Sequence, residues 1–299
     1  MLKEIAFHNG EFISADQLVV RPQDMGFMLG VTVAEQLRTF KGKLFEVEPH
    51  MKRLQRSLEI VGIAGVDTTA LATAADKIIE HNYRLLEPSL DLGLTIFVTP
   101  GLYPTYAPDG ERHPNIGIHS YPLPFSLWAK KYETGQSCEI VSVTQVSQTS
   151  WPRDLKCRSR MHYHLADQEA KKKRPGATAI LLDELGNINE SPTANVIAYF
   201  ENEGLVSPPL ESILPGISLR YVERLAQTLG SNFAYRPITA EEILQADEIL
   251  LASTPFCLLP VSQLGNKTLQ QRDCFHWLMK AWSKEVNVDI GAQAVDAAK

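Results

Sequence analysis

The stretch ATAILLDELGNINESPTANVIAYFENEGLVS, residues 177–207, decides the fold of the second half of the chain. Apolar runs flank Gly186, and two further runs flank Gly204. Runs rich in branched and aromatic residues that are broken by glycine turns predict β-hairpins. The stretch ISLRYVERLAQTLG at 217–230 has the apolar spacing of an amphipathic helix and ends at a glycine. This region therefore predicts hairpins followed by a helix.

The rest of the chain mixes strand and helix patterns in the same way. Towards the N-terminus we expect a hairpin turn at Asn9-Gly10, strands at 31–40, 92–99 and 115–121, and helices at 49–62 and 68–86. Further along we expect strands at 138–146 and 248–253, helices at 161–173 and 274–286, and a capping box of Thr239 and Glu242. Because the two element types do not alternate strictly, the sequence predicts α/β domains of the mixed, α+β kind rather than a doubly wound parallel sheet.

Length and composition predict two globular domains. A chain of 299 residues with 44% hydrophobic residues corresponds to about two domains of roughly 100–200 residues each. Pro122 and Pro124 interrupt the element pattern. We therefore expect a smaller N-terminal α/β domain at 1–121 and a larger C-terminal α/β domain at 122–299.

Charge and cysteine usage narrow the class of partner. The 29 basic and 35 acidic residues give a net charge of -6, which argues against nucleic acid or an anionic membrane as the main partner. The four cysteines lack CxxC spacing, so we expect reduced thiols. We see neither a signal peptide nor an apolar run of about 18 residues. These features predict a cytoplasmic protein that acts on small molecules.

Common catalytic and metal signatures are missing from the sequence. It contains no P-loop, no G-x-G-x-x-G and no G-x-S-x-G pattern. His162 and His164 stand two residues apart in a predicted helix, and such residues do not share a helical face. We therefore expect no metal site.

Five short motifs point to one chemistry. They are HMKRL at 50–54, DLK at 154–156, LGNINESPTAN at 185–195, LPGIS at 214–218 and ADEILLASTPFCLLPV at 246–261. Their order and spacing resemble the class IV aminotransferases, the fold-type IV pyridoxal-phosphate enzymes, which include branched-chain and D-amino acid aminotransferases and aminodeoxychorismate lyases. The resemblance runs from about residue 5 to 262 and is stronger in the second half. It implies a two-domain homodimeric enzyme with pyridoxal 5′-phosphate in the cleft between domains.

The resemblance assigns a role to one lysine and one glutamate. Pyridoxal phosphate needs an amine that holds its aldehyde, and Lys156 matches the Schiff-base lysine of the family. The cofactor also needs a protonated ring nitrogen to act as an electron sink. A neighbouring carboxylate favours that protonation, and Glu190 matches the family's glutamate at this place.

The phosphate of the cofactor should meet four further residues. The backbone N–H groups of Ile217 and Ser218 open a predicted helix, and a helix N-terminus binds anions. The resemblance matches Ser218 and Thr254 to phosphate-binding hydroxyl residues. Arg53 matches the arginine that forks onto the phosphate.

Departures from the family leave the substrate open. Pro100 stands where D-amino acid enzymes carry an arginine, and Pro255 removes a backbone N–H that branched-chain enzymes use. We expect a different arginine to bind the substrate carboxylate. The candidates are Arg38, Arg158 and Arg160.

Three functions remain open from the sequence. The first is an aminotransferase that moves an amino group between an amino acid or amine and a 2-oxo acid, with Lys156 as the cofactor lysine. The second is a lyase of the aminodeoxychorismate type, which releases pyruvate and needs the same lysine. The third is a pyridoxal-phosphate-binding protein without catalysis. Retention of Lys156, Glu190, Arg53 and Thr254 together argues against the third.

Overall fold

Two compact units make up the fold. The computed structural model describes residues 3–107 and 113–298. Unit 1 consists of the residues up to Leu123 together with Asp154–Ser159, and unit 2 consists of Pro124–Arg153 and the residues from Arg160 onwards. That the units are separate domains, with a boundary between residues 121 and 122, stays a prediction.

Unit 1 contains a six-stranded sheet. Its strands are β1 (Ile5–His8), β2 (Glu11–Ser14), β3 (Val33–Phe40), β4 (Lys43–Leu44), β5 (Leu92–Thr99) and β6 (Asn115–Pro122), and its helices are α1 (Met25–Met28), α2 (Val47–Val61) and α3 (Thr68–Tyr83). The strand order is β2-β1-β6-β5-β3-β4, with antiparallel neighbours. The predicted hairpin is confirmed, because Asn9 and Gly10 join β1 to β2 with φ values of 49° and 100°.

The helices of unit 1 bury one face of this sheet. Leu54 and Leu58 of α2 and Ile78 of α3 pack with Leu37 of β3 and Ile96 of β5 in one apolar cluster. Since side chains alternate along a strand, the residues between these core positions point to the opposite face. Helix α3 ends three residues before the predicted end, because tight turns replace the helical hydrogen bonds after Tyr83.

Unit 2 contains a mixed sheet. Its strands are β7 (Gln136–Ile140), β8 (Thr178–Ile180), β9 (Glu190–Ser191), β10 (Ala194–Phe200), β11 (Gly204–Ser207), β12 (Phe233–Tyr235), β13 (Glu248–Ser253), β14 (Cys257–Leu264) and β15 (Lys267–Thr268). Its helices are α4 (Lys131–Thr134), α5 (Met161–Lys173), α6 (Ile217–Thr228), α7 (Asp273–Val286) and α8 (Ile290–Ala297). The strand order is β12-β11-β10-β13-β14-β7-β8, with β15 beside β14 and β9 beside β10. Parallel and antiparallel pairs occur together, which confirms the mixed fold class.

Two predicted elements of unit 2 differ from the structure. The strand predicted at 138–146 ends at Ile140, because the backbone N–H of Ser142 turns to the carboxylate of Glu169 at 2.9 Å. Thr239 Oγ1 accepts a hydrogen bond from the backbone of Glu242 at 3.0 Å. Only a short 3-10 turn follows this cap, so the capping box starts no α-helix.

The segment that carries Lys156 lies in unit 1. The sequence places this lysine in a domain at 122–299, which stays a prediction. The segment joins unit 1 through backbone pairing with the start of β3: Ala34 donates to the Lys156 carbonyl at 3.1 Å, and Arg158 donates to the Thr32 carbonyl at 2.9 Å. A separation of more than 120 residues hides this contact from sequence patterns.

In the two described ranges, no helix is both long and apolar enough to cross a membrane. The four cysteines are free thiols; Cys138, Cys257 and Cys274 are buried, and Cys157 is half-buried.

Two glycines in unit 1 provide a matched test of backbone packing. Gly101 has a φ of 85°, and a Cβ there would lie 2.2 Å from the carbonyl oxygen of His113. Gly62 has a φ of 70° with nothing near its Cβ position. We expect Gly62→Ala to lower the free energy of unfolding by about 1–2 kcal/mol through the left-handed backbone. Gly101→Ala should cost about 1–3 kcal/mol more, because overpacking is added. Equal losses in urea unfolding would contradict this packing.

Candidate active site

The segment that carries Lys156 is held by its backbone. The Lys156 carbonyl accepts from Ala34, and its backbone N–H donates to Ser57 Oγ at 3.1 Å. The preceding Leu155 packs against the core of unit 1. Cys157 bridges to Val33, so Lys156 lies opposite Ala34 in the ladder. Opposed residues share a face, and the half-buried Lys156 side chain therefore projects on the face away from the helices.

A buried charge network lies on the other face of β3. Glu35 accepts hydrogen bonds from Nε and Nη2 of Arg53, both at 2.8 Å, and lies 2.7 Å from Nδ1 of His50. Burial alone would raise the pKa of Glu35, but the charge and hydrogen bonds of Arg53 hold it well below its usual range. Burial lowers the pKa of His50; the hydrogen bond and charge of Glu35 oppose this, and the positive charges of Arg53 and Lys156 lower the pKa further. The network thus fixes the guanidinium of Arg53, the expected phosphate ligand.

Glu190 forms a second buried network, in unit 2. Its Oε1 accepts hydrogen bonds from Nε2 of Gln145 and from the hydroxyl of Tyr163, both at 2.6 Å. Its Oε2 accepts a long bond, 3.4 Å, from the backbone N–H of Leu214. Burial raises the pKa of Glu190, although the Tyr163 hydroxyl opposes this rise. The carboxyl group therefore sits in a dry place where a cation at Oε2 would stabilise its charge.

Helix α6 begins close to this network. Gly216 caps the helix without a side-chain hydrogen bond, and Ile217 and Ser218 are buried in its first turn. The first N–H groups of a helix have no acceptor within it. Asn195 donates to the Leu214 carbonyl at 2.9 Å. The Oδ1 of Asn195 lies 1.9 Å from where a Cβ on Gly216 would be, so this turn requires glycine.

Thr254 lies in the tight connection between β13 and β14. Ser253 and Cys257 are the last paired residues of the two strands. Ser253 Oγ donates to the carbonyl of Thr193 at 2.6 Å, and Cys257 adopts a left-handed φ of 61°. These contacts hold the half-buried Thr254 in a defined loop.

Arg38 and Arg160 each contact both a backbone carbonyl and an aromatic ring. Arg38 is 1% exposed; its Nε donates to the Thr39 carbonyl at 3.1 Å, and its guanidinium lies 4.0 Å from the ring centre of Phe40. Arg160 donates from Nη2 to the Pro192 carbonyl and lies 4.5 Å over the ring of Tyr163. Neither contact tests a substrate role, which stays a prediction for both residues.

Arg158 occupies a different environment. It is exposed, and its pairing with Thr32 puts it on the same face as Lys156. Burial raises the pKa of Tyr121 and lowers that of His119, and the charge of Arg158 lowers both. The rings of these two residues lie 6.2 Å apart. Arg158 therefore adds positive charge near His119 and Tyr121 on the face of unit 1 away from the helices.

Several site residues were missed by sequence reasoning. Tyr163 and Gln145 contact Glu190 across 27 and 45 positions of the chain, and no spacing rule predicts such contacts. His119 and Tyr121 could have been found, because alternation along the strand NIGIHSY puts them on one face.

The family model for amino-transferase class IV matches residues 32–264. The D-alanine aminotransferase of Bacillus licheniformis is 25% identical over 264 residues, which are 87% of this chain and 88% of that protein. Two solved structures are similar in fold. The branched-chain aminotransferase from Thermoproteus uzoniensis with norvaline has a TM-score of 0.83 at 21% identity, and the T.th. branched-chain aminotransferase with pyridoxamine 5′-phosphate has 0.84 at 17%. Both alignments cover 95% of each chain.

Removing Glu35 should show how much its network contributes to the free energy of unfolding. Glu35→Ala leaves the buried Arg53 without its carboxylate, and we expect unfolding to require about 3–5 kcal/mol less free energy. Glu48→Ala is the matched control, because Glu48 pairs with Lys52 on the exposed face of the helix that carries Arg53, and such pairs contribute little. Urea unfolding measures both variants. A small loss for Glu35→Ala would show that Arg53 is not held by this pair.

Proposed function

Because the chain belongs to the class IV aminotransferase family, we propose that it moves an amino group between an amino acid or amine and a 2-oxo acid, with pyridoxal 5′-phosphate as cofactor. The observation that carries this proposal is the buried Glu190 carboxylate, whose Oε2 accepts a long, 3.4 Å hydrogen bond. A protonated pyridine nitrogen is the kind of cation that fits there.

The residues of unit 2 fit the ring and the phosphate of this cofactor. Glu190 would hold the ring nitrogen. The N–H groups of Ile217 and Ser218 would bind phosphate oxygens, because the helix start carries partial positive charge and no side chain caps it. Thr254 would add a hydroxyl donor. When bound, the cofactor supplies an electron-withdrawing ring that stabilises negative charge at the substrate Cα.

The residues of unit 1 would supply the amine and a fixed cation. Lys156 would hold the aldehyde carbon through Nζ. After the amino group of the substrate displaces Nζ from that carbon, the released amine would accept the proton from the substrate Cα. Arg53 would bring positive charge to the phosphate, with its guanidinium plane already fixed by two bonds to Glu35. Both roles rest on the family match and on the fixed backbone and side-chain positions described above.

We propose Arg158 as the first choice for the substrate carboxylate. Its position opposite Thr32 puts it on the face of Lys156. No residue of β3, β5 or β6 that points to this face is acidic. Tyr121, which accepts a hydrogen bond from Gln36, adds a polar group beside it. Arg38 and Arg160 remain candidates.

The relatives named above are aminotransferases, so neither the lyase nor the non-catalytic alternative is favoured. A single-turnover experiment separates the three. The cofactor-loaded protein is mixed with a panel of amino donors, and its absorbance is followed without any acceptor. Conversion to the pyridoxamine form supports amino transfer. Release of pyruvate without that conversion would instead indicate a lyase, and no change with any donor would contradict catalysis.

A homodimer and a cytoplasmic location stay predictions. Sedimentation at micromolar concentration tests the first, and a monomer there would contradict it.

Replacing the cofactor lysine should abolish covalent cofactor binding. We expect Lys156→Ala to lose the absorbance band of lysine-bound cofactor while it keeps its fold, because the other ligands bind without an amine. Lys52→Ala on the exposed surface of α2 is the control and should keep the band. If the Lys156 variant still shows the band, the assignment of the cofactor lysine is wrong.

Removing the substrate arginine should reduce turnover without changing the cofactor spectrum. We expect Arg158→Ala to lower kcat/KM for amino acid donors by roughly 30-fold or more, about 2 kcal/mol, because a carboxylate loses its charged partner. Arg84→Ala, which removes an exposed arginine of unit 1, should leave the rate unchanged. Parallel Arg38→Ala and Arg160→Ala variants identify the residue if Arg158 is not the one. Normal rates in all three would indicate a plain amine as substrate.

A further inference from the structure

Glu190 is bound by two donors whose orientation is fixed. The backbone N–H of Val146 donates to Oε1 of Gln145 at 2.9 Å, so Nε2 must be the side of that amide that faces the network. This Nε2 lies 2.8 Å from the Tyr163 hydroxyl and 2.6 Å from Oε1 of Glu190. The hydroxyl of Tyr163 completes the triangle with its own 2.6 Å bond to Oε1. One carboxylate oxygen therefore takes both strong donors.

The ring of Tyr163 is held as firmly as its hydroxyl. The guanidinium of Arg160 lies 4.5 Å from the centre of the Tyr163 ring, and the centre of the His162 ring lies 3.9 Å from the same point. The ring also packs against the small apolar cluster that contains Ala166 and Ala170. Arg160 is itself fixed by its bond to the Pro192 carbonyl. Tyr163 thus has little freedom to leave Glu190.

The two oxygens of Glu190 are consequently unequal. Strong N–H···O bonds span about 2.7–3.2 Å, and the 3.4 Å bond from Leu214 to Oε2 is longer. We propose that Tyr163 and Gln145 are positioning residues that keep Glu190 ionised and direct its Oε2 to the ring nitrogen of the cofactor. This inference rests on the proposed function, and it assigns roles that the five sequence motifs do not contain.

The charges around Glu190 agree with this role. Burial raises the pKa of the carboxyl, and the Tyr163 hydroxyl is the strongest group that lowers it, followed by the Leu214 N–H and by Arg153 and Arg160. If the hydroxyl is removed, the carboxyl keeps its proton to a higher pH. A neutral carboxylic acid does not favour a protonated ring nitrogen, so the cofactor loses part of its positive charge.

This loss has a spectroscopic consequence. A positive ring lowers the pKa of the nearby nitrogen that links Lys156 to the cofactor, because like charges repel. In Tyr163→Phe that nitrogen should keep its proton to a higher pH. We expect the pH midpoint of the absorbance of the cofactor-loaded full chain to rise by about one pH unit. The value of kcat should fall about tenfold, while KM for the amino donor changes little, because Tyr163 does not touch the donor.

The matched control is Tyr235→Phe. Tyr235 donates to Glu223 at 2.7 Å in the same unit, so this variant also loses a hydroxyl–carboxylate bond, but at a site without an assigned role. Its spectral midpoint should stay at the native value. Gln145→Met removes the other donor with little change of volume and should shift the midpoint in the same direction, which keeps the test available if Tyr163→Phe folds poorly.

A second experiment uses the protein without its cofactor. Infrared difference spectra across pH report the carboxylic acid band of Glu190, identified by its absence in Glu190→Gln. In cofactor-free Tyr163→Phe this band should persist to higher pH than in the native protein. If the native chain binds pyridoxal phosphate but both the absorbance midpoint and the carboxyl band are unmoved in Tyr163→Phe and Gln145→Met, the positioning role is overturned. If the native chain binds no cofactor, the proposed function fails instead, and the direction of Oε2 fails with it.

Discussion

A carboxylate that is buried away from water is stable only if hydrogen-bond donors or a cation contact it. This constraint explains the two buried networks around Glu35 and Glu190. Glu35 meets it within the chain, through two bonds from Arg53 and one contact with His50. Glu190 meets it only in part, because its two strong donors share one oxygen. The first arrangement is complete and stabilises unit 1. In the second arrangement Oε2 has no strong donor, and we propose that an external cation binds there. The proposed function rests on Glu190 for this reason.

Strand β3 connects the first network to Lys156, the proposed cofactor lysine. One face of the strand carries Glu35 towards the helices, and the strand's edge pairs with the backbone of Lys156. Alternation along the strand keeps the charge network and the amine on opposite faces. A change in the register of β3 would therefore displace Arg53, the proposed phosphate ligand, and Lys156 together.

Local elements were predictable from the sequence, and long-range contacts were not. Strand β5, strand β13 and helix α5 have the expected bounds to the residue. Apolar runs define the two strands. The candidate site residues were proposed from motif resemblance rather than from periodicity. The backbone pairing of the Lys156 segment with β3 could not be predicted, since it depends on tertiary structure. The contact of Tyr163 with Glu190 could not be predicted, because side chains on α5 and β9 meet only in the folded unit.

The central claim is that Lys156 is the residue that binds the cofactor. The most direct measurement loads the native protein with pyridoxal 5′-phosphate, reduces it with borohydride and maps the modified peptide by mass spectrometry. We expect about one cofactor per chain, fixed on Nζ of Lys156. Modification of a different lysine at that stoichiometry, or none at all, would contradict it.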